Sequence, residues 1–375
     1  MLAVTMMMLF FGAGCLNAIE PSVEVPDVEL PDDWNDVPAR SIGSPQLQGY
    51  DDCEDLEQSL KSSLEEEYRI QLLQAAAEEY YYGGGIWMED DMEMVADTAS
   101  GAEGGAAAQP RTAPKLVEGE DFSGTNNQES GVDEADFVKT DGYNIYYLQG
   151  QKLHIFGVPE FGQLTDLSNT TVEGNPQAMM LDGDQLVVIS TLSPWSLSRS
   201  SPVIDEMGWD GEYGNWRASS LTKFTVYDVA DRKDPDVERE LYIEGSYITA
   251  REVNGTVRTV SHAWMDVQGL RTWLDLPTGY WNLDYDDSLR TEIRQKVAWE
   301  TIQENREVLS MLTLEDLLPQ VYEYSNGSVT THTMTDGQCA DFVAPSEGFN
   351  RGISSIFTLD LSSVEFDFEV DHIVG

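Results

Sequence analysis

The chain has 375 residues, a formal charge of −47 at pH 7 and a pI near 4.1. That balance excludes a nucleic-acid binder, because phosphate binding needs a basic patch, and it opposes electrostatic attraction to anionic lipid. Hydrophobic residues still make up 41% of the total, with nine Trp, 16 Tyr and 12 Phe, so the composition is that of a folded protein rather than a disordered one.

The acidity is spread along the sequence, and Arg outnumbers Lys among the few cations. An acidic, Lys-poor surface of this kind is read as that of a protein soluble in high salt. At molar salt the Debye length falls to about 3 Å, which screens the self-repulsion. A halophilic source is therefore expected.

The N-terminus reads MLAVTMMMLFFGAGCLN. Met1 to Phe11 carry no charge, and the run falls short of the ~20 residues that a spanning helix needs. Gly12, Ala13 and Gly14 then lead to Cys15. Residues 1–14 are read as a signal peptide and Cys15 as a lipid-attachment site. The stretch resembles a lipobox, with Gly12 where Leu is usual and no basic residue before the apolar run. The expectation is an extracellular, membrane-anchored lipoprotein on the cell surface, touching the membrane only through its N-terminal lipid.

Residues 15–50 are acidic and Pro-rich and are read as an extended tether. Residues 51–82 follow as an N-terminal helix, about 52 to 81. Leu56, Leu60 and Leu64 recur every fourth residue, Asp51 or Asp52 caps the start, and Gly83 to Gly85 stop it. Residues 83–121 are Gly, Ala, Glu and Pro without period, read as a flexible linker.

With Cys15 lipidated, Cys53 and Cys339 remain. Outside the cell an even remainder is read as a disulfide, with two buried free thiols as the alternative. Three sequons, at Asn169, Asn254 and Asn326, are candidate glycan sites.

From Asp136 the period changes to two. ADFVKTDGYNIYYLQGQKLHIF reads as three strands with turns at Asp141-Gly142 and Gln149-Gly150. The theme recurs with turns at Asp182-Gly183-Asp184, at Asp231 to Pro235 and at Asn254-Gly255. Asp141-Gly142 and Asp182-Gly183 are one propeller-blade length apart, about 40–50 residues. The Ser-, Trp- and Gly-rich segment 193–220 delays the next hairpin. Residues about 285–324 break the β rhythm and are read as a helical insertion. Ile293, Val297, Trp299, Ile302, Val308 and Leu309 have helical spacing, and a second short helix ends at Leu318-Pro319.

TNNQESGVDEADFVKTDG (125–142), IYYLQGQKLHIF (145–156), VYDVADRKDP (226–235), LTLEDLLPQVYEY (312–324) and CADFVAP (339–345) resemble the secreted proteins with a C-terminal β-propeller domain found in archaea and some bacteria. The resemblance covers about 122–375. It implies a mainly β fold, a propeller of four-stranded antiparallel blades exposed outside the cell, and it implies no reaction. Family domains continue past the equivalent of Gly375, so the propeller is expected to be incomplete and the protein truncated at its C-terminus.

The 125–142 stretch carries Glu129, Asp133, Glu134, Asp136 and Asp141. Its spacing departs from the EF-hand loop, and it is read as the entrance to the first blade, with side-chain-to-backbone bonds shaping its turns. Ca²⁺ or another hard cation on Asp133, Asp136 and Asp141 is the rival reading. No other cofactor is expected. His154, His262, His332 and His372 lie in β-patterned segments and are read as structural. Trp195, Trp209, Trp216, Trp264, Trp273 and Trp281 either fill blade interfaces or stack on sugars or peptides. No G-x-S-x-G, H-E-x-x-H or P-loop occurs, and no catalytic residue is assigned. The functional expectation is a binding or scaffold module for a protein, peptide or glycan. The alternatives are an extracellular hydrolase with acidic residues at the propeller mouth, or a truncated, non-functional product.

Overall fold

A computed structural model describes residues 23–36, 46–77, 133–159, 163–197, 201–208, 217–253, 255–265, 267–335, 339–345, 352–360 and 367–375. The expected signal peptide, Cys15 and the linker 83–121 lie outside these residues.

In sequence order, strand β1 (Leu47–Gly49) precedes helix α1 (Cys53–Ala77). Next come β2 (Asp133–Glu134), β3 (Val138–Thr140), β4 (Asn144–Gln149), β5 (Lys152–Gly157) and β6 (Thr165–Thr171). Strands β7 (Asn175–Asp182) and β8 (Gln185–Leu192), the single turn α2 (Val203–Glu206), and β9 (Leu221–Asp228) and β10 (Asp236–Glu244) follow. Then come β11 (Ser246–Val253), β12 (Thr256–Trp264), helix α3 (Ser288–Met311) and the short helix α4 (Leu314–Leu317). Last are β13 (Val321–Ser325), β14 (Ser328–His332), β15 (Phe342–Pro345), β16 (Gly352–Asp360) and β17 (Asp367–Val374).

The first sheet is the meander β3-β4-β5-β6. The second has the order β14-β13-β10-β9-β8-β7, and the third the order β1-β15-β17-β16-β12-β11-β2. All pairings are antiparallel except β15 with β17. The expected turns form where the local chemistry demands them. Gly142, Gly150, Gly183 and Gly255 all have positive φ, the region glycine enters at least cost.

The sheets stack face to face. Strand β8 shows why QLVVISTL carries four consecutive apolar residues, Leu186 to Ile189. Leu186 and Val188 pack toward Tyr146, Leu153 and Ile155 of the first sheet. Val187 and Ile189 join Phe224 and Leu241 against Val257, Ile353 and Phe357 of the third. A strand buried on both faces needs no polar alternation. The fold is thus mainly β, with one four-stranded blade-like sheet beside sheets of six and seven strands, and the described sheets do not close into a ring.

The two long helices pair beside the stack. Asp52 caps α1 by accepting from Asp55 N at 2.9 Å. Asp287 caps α3 by accepting from Leu289 N at 2.9 Å. Leu56, Leu60 and Leu64 enter the main core, whereas Leu72, Leu73 and Ala76 pack on Ile293, Val297 and Ile302 of α3. Arg294 of α3 donates at 3.0 Å to the Ala76 carbonyl of α1, tying the two helices together. Cys53, at the start of α1, is disulfide-bonded to Cys339, with a Cα–Cα distance of 5.2 Å.

Two expectations need correction. The region 15–50 is not wholly a free tether. Val23, Val25 and Trp34 pack against the helix pair, and Arg69 donates to the Trp34 carbonyl at 3.0 Å. Strand β1 also extends the third sheet, so the burial available on the domain holds this segment down. The helical insertion stops earlier than expected, because Val321–Ser325 is a strand paired with β10. Within 51–82, the described helix ends at Ala77, and residues 78–82 lie outside the described part.

Candidate functional site

The second sheet carries a charged cluster where an apolar face would be expected. Along β9, Phe224 and Val226 face the third sheet, while Lys223, Thr225 and Tyr227 alternate toward the other side. Lys223 is 1% exposed. Its ammonium lies 2.7 Å from Glu173 Oε2, pairs closely with Glu240 Oε1, and sits 4.8 Å from the centroid of the Tyr242 ring. The Tyr242 hydroxyl donates to Glu173 Oε2 at 3.0 Å. Burial, then Glu240 and Glu173, push this phenol well above its usual range, so it remains a proton donor. A buried ammonium persists only when paired and hydrogen-bonded, and the two carboxylates provide that pairing.

Glu173 lies in the connection from the first sheet to the second. Gly174 follows it at φ +84°, with the carbonyl of Thr191 2.8 Å from where a Cβ would stand. Gln151 donates to the Gly174 carbonyl at 2.7 Å. The glycine therefore lets the connection press onto β8, and the Glu173 side chain is turned back over the sheet. Beside it opens a cleft of about 710 Å³, lined by Gln151, Glu173, Asn175, Thr191, Ser193 and Ser220 among others. The lining mixes hydroxyl and amide side chains with the apolar Val172 and Leu192 and one carboxylate. Glu173 Oε2 is held by Lys223 and Tyr242. Its Oε1 has no partner among the described residues, and the side chain is 34% exposed. Trp195 stands 54% exposed in the turn between the lining residues Ser193 and Ser196.

Two further clusters are structural. Arg232 bridges the first two sheets, donating to Asp141 Oδ2 at 3.1 Å, the Tyr146 hydroxyl at 3.0 Å and Asp184 at 2.5 Å. Asp141 also accepts from the backbone of Tyr143 and Asn144. Burial opposes ionisation of this carboxyl, but those bonds and Arg232 hold it below the usual range. Glu244 is buried between the Arg217 guanidinium, the Tyr322 hydroxyl and Gln320 N. Burial raises its carboxyl above the usual range against those partners.

The structure places the expected site residues as follows. Asp133 lies in β2 opposite Glu252. Asp136 bridges to Met179, and its carboxylate accepts from Phe137 N. Asp141 shapes the turn before β4. Among the described residues, no three His, Cys, Asp or Glu side chains converge as a metal-binding group. Asn169 is exposed on β6 beside His154, and Asn326 is exposed in the β13–β14 turn, while Asn254 lies outside the described residues. His262 meets Ser354, His332 meets Glu323, and His372 is buried against Phe342 and Ser355. Trp264, Trp273 and Trp281 are exposed, whereas Trp209 and Trp216 lie outside the described residues.

Sequence reasoning missed Lys223, Glu173 and the cleft. The available signal was a lysine inside LTKFTVYDV at a position whose strand neighbours are all buried.

Residues 122–375 match the model of the beta propeller domain family. No curated protein and no solved structure matches the sequence.

Proposed function

The chain belongs to the beta propeller domain family, and we propose that it is a lipid-anchored, cell-surface binding or scaffold module for a protein, peptide or glycan. The observation that carries the binding part is the cleft between the first and second sheets. Its walls are formed by strand ends and the connections beside them, and a buried ion cluster holds one acceptor at its edge. Binding sites are commonly concave and largely preformed, and a propeller hosts many functions through such sites. The placement outside the cell is supported by the apolar run before Cys15 and by the Cys53–Cys339 bond, which suits an oxidising compartment. The hydrolase alternative draws less support. Glu173 is the single carboxylate lining the cleft, and it and Glu240 share one lysine, whereas glycoside hydrolysis sets two carboxyl groups on opposite sides of the scissile bond.

The test is retention of the purified mature protein on stripped envelopes of its own source cells, in molar salt. Ser193→Arg projects a bulky cation into the cleft from an exposed position. It is expected to abolish retention without moving the thermal midpoint. Equal retention of the variant would refute the cleft as the binding site.

A further inference from the structure

The charge of the Glu173 cluster and the mixed lining of the cleft narrow the class of ligand. We propose that the cleft takes a lysine side chain of a protein or peptide partner, with Glu173 Oε1 accepting from its ammonium. This rests on the binding reading above and names the partner's chemistry.

The cluster is one cation short. Glu173 and Glu240 share the single ammonium of Lys223, so the three side chains leave one negative charge over. Lys223 and Tyr242 both engage Glu173 Oε2, at 2.7 and 3.0 Å. Oε1 is the oxygen left for a ligand, on the one carboxylate that lines the cleft. A carboxylate already held by one oxygen loses little further freedom on binding. The net charge of −47 adds to the attraction for a cation.

The single open oxygen selects an ammonium over a guanidinium. Arginine makes its strongest pairs through two parallel bonds to both carboxylate oxygens, and one of those is occupied here. An ammonium is a point charge for which one such oxygen is enough. Its other N–H groups can be taken by side-chain oxygens of the lining, those of Gln151, Asn175 and Ser220 among them.

The apolar part of the lining suits the rest of the same side chain. Val172 and Leu192 border the cleft beside Glu173. A lysine carries an aliphatic stem that packs on apolar surface while its charged head stays with polar partners. At about 710 Å³ the cleft also has room for the peptide residues flanking that lysine.

NMR titration of the full-length protein with the capped tripeptide Ala-Lys-Ala tests the proposal. Ala-Arg-Ala, Ala-norleucine-Ala and free cadaverine are the comparisons. The lysine peptide is expected to bind at least tenfold more tightly than the other three. Glu173→Gln keeps the side-chain shape and removes its charge, and is expected to weaken the lysine peptide about tenfold. Ser193→Arg puts a cation at an exposed lining position. It is expected to abolish binding with the denaturation midpoint unchanged, which separates lost contact from lost fold. No binding of the lysine peptide, equal or tighter binding of the arginine or norleucine peptide, or an affinity indifferent to both substitutions would overturn the proposal. Equal or tighter binding of cadaverine would overturn it in favour of a free diamine. None of these results alters the envelope-retention test, so the lysine assignment can fail while the binding reading stands.

Discussion

The Lys223 ammonium lies 2.7 Å from Glu173 Oε2, which joins the middle strand of one sheet to the connection arriving from the preceding one. The pair is partly sequestered, and Glu240 completes it from β10. Removing the cation alone leaves two carboxylates without their counter-ion. Lys223→Met is expected to destabilise the fold by about 3–5 kcal/mol. Lys223→Met with Glu240→Leu should recover part of that loss, since apolar replacement of both partners is far less costly than breaking the pair. Urea denaturation of the three proteins checks this, and a double variant less stable than the single one would count against it.

The disulfide links residues 286 apart in sequence. In the chain-entropy picture, so long a loop contributes up to about 5 kcal/mol. Reduction, or the pair Cys53→Ser with Cys339→Ser, should lower the thermal midpoint and expose the start of α1 to protease first. An unchanged midpoint would mean that the packing of Leu56, Leu60 and Leu64 suffices to hold the helix.

Acid should loosen the third sheet through His372. Burial pushes this imidazole down to about 4, with the backbone of Met334 opposing the shift. The ring is stacked on Phe342 at 4.0 Å and bonded to Ser355 at 2.9 Å. The unfolded protein takes up the proton near its ordinary pKa of about 6.5, and the folded protein only near 4. The contribution is complete above about pH 6.5 and declines as pH falls toward 4, by about 3 kcal/mol in total. His372→Gln should flatten this part of a stability-against-pH curve measured by denaturant titration.

The outward face of the first sheet carries exposed Phe137, Val138 and Tyr147, and that of the third carries Ile248, Trp264 and Ile356. Apolar faces of this kind promote association. Tyr147→Lys combined with Ile356→Lys should reduce light scattering of the purified protein in molar salt while leaving its circular dichroism unchanged.

Local chemistry made much of the fold legible. Asp-Gly and Gln-Gly pairs mark tight turns through the positive φ that glycine accepts, so the hairpins at Gly142, Gly150 and Gly183 could be read without knowing what they pack on. Leu56, Leu60 and Leu64 mark their helix by spacing alone. Long-range pairing was not legible. VYEYS lies at the end of the stretch that breaks the β rhythm, and its strand shows only once β10, far earlier in the sequence, offers it an edge. Val23 and Val25 look like tether residues until the α1–α3 pair provides a surface. The cleft was hidden for the same reason. Glu173 and Lys223 are 50 residues apart, and neither is unusual in its own segment. Only the meeting of two sheets turns a strand lysine into a buried counter-ion.

An outward-facing anchored module is tested most directly by the intact mass of the native protein, taken from the membrane fraction of cells first treated with external protease or left untreated. The expected species begins at Cys15 with a covalent diacylglycerol, present in untreated cells and cut in treated ones. A species retaining Met1, found in the soluble fraction and untouched by the protease, would contradict the anchored, outward-facing placement.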